Sequence, residues 1–99
     1  MDEKTLREKA WLGDAVLGLY ARAWILREKR GLDDPLYQRM TGNQTLSPLG
    51  RPTEVEARIG VLYEDQGLEP AFAWIEEHIL PLVKKQLARE QRSRRGAKG

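Results

Sequence analysis

The sequence predicts an all-α fold, and three observations carry that prediction. Apolar residues recur at helical spacing in each long segment, as in Leu12, Ala15, Val16 and Leu19 or Leu68, Phe72, Ile75 and Ile79. No segment shows the strict alternation of a half-buried strand. Glycine, proline and capping residues fall where helices should start and stop.

The first helix is expected from about Leu6 to about Arg30, capped by Asp2 or Thr5 and ended by Gly31. It is apolar almost all the way round, which marks a buried helix, yet it carries the carboxylate Asp14. It also holds Gly13 and Gly18, whose usual role inside a helix is to let a neighbouring backbone approach. Asp33-Asp34-Pro35 starts a short second helix that reaches about Met40. Residues 41–52 are rich in turn formers and read as a loop with one helical turn near its centre. Thr53 and Glu56 make a capping-box pattern for the next helix, which contains Gly60 and ends at Gly67. The region from Leu68 to about Arg92 is helical again, with a break or kink near Leu80 imposed by Pro81. His78, the only histidine, is expected at the surface of that region. Trp11, Trp24 and Trp74 suit core or interface packing.

Ninety-nine residues make one domain with a modest core. Residues 1–83 are expected to form the helical body, and residues 84–99 a basic helix end and tail. The composition, 40% hydrophobic and 32% charged, is that of a folded soluble chain. The absence of cysteine excludes disulfides, thiolate zinc sites and cysteine nucleophiles, and it suits the reducing cytoplasm. The charged start Met1-Asp2-Glu3-Lys4 is unlike a signal peptide. Asp14, Arg22 and Arg27 interrupt the longest apolar segment, so no membrane association is expected. Net charge is only +2, but Lys84, Lys85, Arg89, Arg92, Arg94, Arg95 and Lys98 face a single acid, Glu90, at the C-terminal end. That asymmetry suits either a polyanion partner or a solvated helix end.

Asp14 beside Gly13, and Glu56 one turn before Gly60, place one carboxylate near a glycine on each of two apolar helices. If the helices cross at these glycines, the carboxylates converge. Two acids in a poorly hydrated place repel unless a cation lies between them. Magnesium suits so sparse a site, because it keeps several waters and completes its shell with phosphate oxygens. The chemistry implied is metal-assisted phosphodiester hydrolysis. The same residues also fit structural capping and pairing. No phosphate-binding glycine loop, histidine pair or nucleophile with an adjacent base offers a different reaction.

The stretch Ala10-Trp11-Leu12-Gly13-Asp14-Ala15-Val16-Leu17 resembles the signature helix of the ribonuclease III catalytic domain. Residues 53–67, from Thr53 through Glu56-Ala57-Arg58-Ile59-Gly60 to Asp65-Gln66-Gly67, resemble that family's second signature. Asn43-Gln44-Thr45-Leu46 is similar to the turn between the two, and the region through Leu80-Pro81 to its closing helix. Larger relatives carry acids where this chain has Arg7, Ala10 and Thr53, and Arg58 stands where the family has leucine. The lost acids resemble the Mini-ribonuclease III branch, with the segment between the signatures shorter by about two helices.

The resemblance implies a small homodimeric endonuclease domain, a helical bundle that hydrolyses double-stranded or structured RNA. Asp14 and Glu56 would be its catalytic metal ligands for Mg2+, with Mn2+ able to substitute. Glu54 and Glu64 are further acids within the second signature. Lys84, Lys85, Arg89, Arg92, Arg94 and Arg95 would contact RNA phosphates. The alternative is a degenerate ribonuclease III fold that binds structured RNA or a ribonucleoprotein without cleaving it.

Overall fold

The computed structural model describes the backbone of residues 1–98 and the side chains of residues 1–93. Six helices follow one another: α1 (Glu3–Lys29), α2 (Asp34–Thr41), the single turn α3 (Asn43–Leu46), α4 (Pro52–Gln66), α5 (Leu68–His78) and α6 (Leu80–Lys98). A 3-10 turn, Ser47–Leu49, links α3 to α4. No strand occurs among the described residues, so the fold is all-α.

Local chemistry explains most of the boundaries. The Asp2 carboxylate accepts the Thr5 backbone N–H at 2.7 Å and so caps α1. Arg30, rather than Gly31, takes the left-handed conformation that ends α1, at φ 56°. Asp33 caps α2 by accepting the Leu36 N–H at 3.0 Å. Gly67, at φ 97°, ends α4 by donating its N–H to the Tyr63 carbonyl at 2.8 Å. The chain breaks at Ile79, and Pro81 then lies in the first turn of α6, where its missing N–H costs nothing.

The start of α4 departs from the expected capping box. Pro52 takes the first helical position, so the cap is Arg51 and Thr53 lies inside the helix. Thr53 makes no cap, and Glu56 falls two residues beyond the third helical position from which a capping-box glutamate reaches back. The Glu56 side chain is left for tertiary contact.

The core gathers Leu17, Tyr20 and Ile25 of α1, Met40 of α2, Leu46 of α3, Ile59 of α4, Ile75 of α5 and Val83 of α6. The most extensive contact is α1 against α4. α6 is one continuous helix across residues 83 and 84. Val83 and Leu87 pack on the core, the buried Thr45 hydroxyl bridges the Arg39 carbonyl and the Gln86 amide, and Arg39 pairs with Glu90. Its body contacts therefore extend seven residues into the stretch expected as a tail. Gln91, Arg92 and Ser93 are exposed. The molecule measures 51 × 27 × 20 Å with a radius of gyration of 14.6 Å. That exceeds the ~13 Å of a compact chain of this length, as expected for a helix that outruns its body.

Candidate functional site

α1 and α4 cross at two glycines that serve one another. A side-chain carbon on Gly13 would overlap the Glu56 carbonyl oxygen, and one on Gly60 would overlap the Lys9 carbonyl oxygen. Each helix thus seats a backbone carbonyl in the gap left by the other's glycine. One turn beyond Gly60, the Glu64 carboxylate receives the Lys9 ammonium at 2.5 Å and closes the crossing from the side. That bond, before any other effect, raises the Lys9 pKa.

This seat brings Asp14 and Glu56 together. Their carboxyl groups are close enough to share a hydrogen bond. Burial is the larger influence on Glu56, followed by the hydrogen bond and the charge of Asp14, and together they push its pKa up to about 7. A carboxyl with that pKa near neutral pH carries a proton for much of the time. The expected burial of Asp14 is corrected here. Asp14 is exposed and Glu56 is half-buried, so desolvation falls on the second acid. The cause is that α1 has an uncovered side, and Asp14 lies at its margin.

Among the described residues no cluster of three or more metal-binding side chains occurs. Glu64 is engaged by Lys9, and Glu54 lies 3.5 Å from Arg51. Two carboxylates, one exposed and one strained by its neighbour, nevertheless fit a magnesium ion that retains most of its waters. A cation between them would offset the charge of Asp14, which adds to burial in raising the Glu56 pKa.

No family model, curated protein or solved structure matches the chain. The case for function rests on this geometry and on the surfaces around it.

The basic residues do not join the carboxylates; they lie on α6. Lys84, Lys85, Arg89 and Arg92 are all exposed. Lys85, Arg89 and Arg92 follow at helical spacing on one face, away from the Val83 and Glu90 side that docks on the body. The Arg94 and Arg95 side chains lie outside the described residues. His78 is half-buried, 3.8 Å from Glu77, with its ring 4.7 Å from that of Trp74. The sequence did not point to Arg22, whose guanidinium sits over the Tyr37 ring at 4.7 Å. Gly18 is the only signal that could have found this pair, because the Tyr37 hydroxyl occupies the space beside it.

α1 also shows an apolar row to solvent. Trp11 is 83% exposed and Leu19 49%. Ala15 and Ala23 continue the row at four-residue steps, and both are exposed. Trp24 and Trp74, by contrast, pack at the core margin. No described helix is long and apolar enough to cross a membrane.

Proposed function

We propose that the chain is a metal-dependent endoribonuclease, similar to ribonuclease III, that hydrolyses double-stranded or structured RNA as a homodimer. The observation that carries this reading is the convergence of Asp14 and Glu56 over the reciprocal glycine seat. A carboxyl whose pKa is raised by burial and by a second acid, at so tight a crossing, is the kind of group that functional sites use.

Asp14 and Glu56 would hold Mg2+. When bound, the ion would polarise a phosphoryl oxygen and make a hydroxide nucleophile available at neutral pH. The protein's own part is positional. The seat fixes the two backbones, Glu56 offers a carboxyl that releases its proton near neutrality, and exposed Asp14 leaves the phosphodiester an open approach. The solvent face of α6 offers Lys85, Arg89 and Arg92 to further phosphates, in a form suited to backbone contact rather than base reading.

The uncovered row Trp11, Ala15, Leu19 and Ala23 supports the dimer. An apolar row of this kind on a small soluble domain marks an association surface, and a two-fold pair of α1 helices would cover both copies at once.

The decisive experiment compares wild type, Asp14→Asn and Glu56→Gln on long double-stranded RNA with magnesium or manganese. Each substitution should reduce cleavage at least about a hundredfold, the scale of losing one preorganised electrostatic group. Equal cleavage by all three would reject the assignment. RNA binding with no cleavage by wild type in manganese would establish the non-catalytic alternative.

A further inference from the structure

Asp14, Gly18 and Arg22 lie at four-residue steps, so they form a single ridge along α1. Each step advances about 6 Å along the helix axis. The ridge starts at the carboxylate pair. One turn on, Gly18 has no side chain, and the Tyr37 hydroxyl fills the space, 2.9 Å from where a side-chain carbon would sit. Two turns on, the exposed Arg22 lays its guanidinium over the Tyr37 ring at 4.7 Å. α2 thus delivers a hydroxyl, and α1 a cation, to consecutive turns beyond the acids. No hydrogen bond joins that hydroxyl to another described residue, while the backbone carbonyl of the same residue accepts from Thr41.

Both residues line an open cleft of about 400 Å3 between α1 and α2. Asp33 and Asp34 also line the cleft and repel an anion placed close to them, the Asp33 carboxylate being engaged by the Leu36 N–H. Within that lining, the Arg22 guanidinium and the Tyr37 hydroxyl are the groups that favour an anion. Stacking on an aromatic face leaves the edge N–H groups of a guanidinium available, and those edges suit a phosphate better than an ammonium does.

We propose that Arg22 and Tyr37 bind the phosphodiester next to the one held at Asp14 and Glu56, and so set the position of the strand at the site. Arg22 donates from its guanidinium edge to one non-bridging oxygen, and Tyr37 donates its hydroxyl to the same group. This inference rests on the proposed RNA-cleaving function and extends it to the neighbouring nucleotide. Arg22 and Tyr37 are positioning residues, since neither reaches the reacting phosphate.

The test measures cleavage kinetics with magnesium, and binding of a long RNA duplex in metal-free buffer across a range of salt. Wild type, Arg22→Gln, Arg22→Lys and Tyr37→Phe are compared. Arg22→Gln should raise KM and Kd about tenfold and lower the salt slope by about one. Arg22→Lys should keep the salt slope but lose part of the affinity. Tyr37→Phe, which retains the ring and its packing, should raise KM severalfold without changing the slope. In all three, kcat and the shift in melting temperature on adding manganese should remain as in wild type. If wild type cleaves RNA and the variants match it in KM, Kd and salt slope, this inference fails while the proposed function stands, and the pair merely fastens α2 to α1. If wild type neither binds nor cleaves RNA, both fail together.

Discussion

Glu56 is the residue on which the proposed chemistry turns. Its carboxyl is held near pH 7 by burial and by Asp14, against an ordinary value of 4.5. The native state therefore binds a proton that the unfolded chain has already released between these two values. Stability from this group is full below about pH 4.5, declines as pH rises, and levels off above about pH 7. Glu56→Gln removes the dependence. In metal-free buffer, thermal melts of wild type and Glu56→Gln should give their smallest gap near pH 4 and a gap in favour of glutamine at pH 8. Manganese at pH 8 should raise the melting temperature of wild type and leave Glu56→Gln little changed. Half of this was legible in the sequence. The glycine neighbours marked Asp14 and Glu56 as a pair, but not which of them is buried. An apolar helix shows which of its faces can be covered, whereas which face is covered depends on how many partners the rest of the chain supplies.

At the scale of elements, the three glycines of interest separate into two kinds. Gly13 and Gly60 face backbone carbonyls that cannot move without separating α1 from α4, whereas Gly18 faces only the end of the Tyr37 side chain. Gly13→Ala and Gly60→Ala should each destabilise by about 3 kcal/mol or more, at the upper end of overpacking costs, read as a fall in the urea midpoint. Gly18→Ala should change stability little, because the ~1 kcal/mol gain in helix propensity offsets a small shift of Tyr37. The close approach at Gly13 and Gly60 was readable from glycines inside apolar helices, where their propensity cost needs a return. Helix ends were readable where a single residue decides them, as with Gly67. They were not where two signals compete. Pro52 overrode the Thr53 cap because its fixed φ suits the first helical position, and Arg30 ended α1 ahead of Gly31.

For the whole molecule, the uncovered row on α1 and the long α6 are the features a single copy leaves unexplained. Trp11→Glu or Leu19→Glu should shift the sedimentation coefficient from dimer to monomer without loss of helical signal. A monomeric wild type at all concentrations would overturn the proposed two-fold dimer. The all-α class was written in the apolar spacing, and so was the order of the helices. The docking of α6 was not, because it depends on Thr45, Gln86, Arg39 and Glu90, polar residues whose pairing across 40 or more positions leaves no periodic trace.

The reciprocal seat of Gly13 and Gly60 also has a consequence for the chain between them. Because the seat locks α1 to α4 by backbone contact, the intervening residues act as a closed loop whose ends are fixed whatever its content. The entropy of closing such a loop rises only with the logarithm of its length, about 0.6 kcal/mol for each doubling. Segments inserted at the exposed Gly50 should therefore be tolerated with little loss of stability. The crossing can remain the same while the architecture spanning it grows or shrinks.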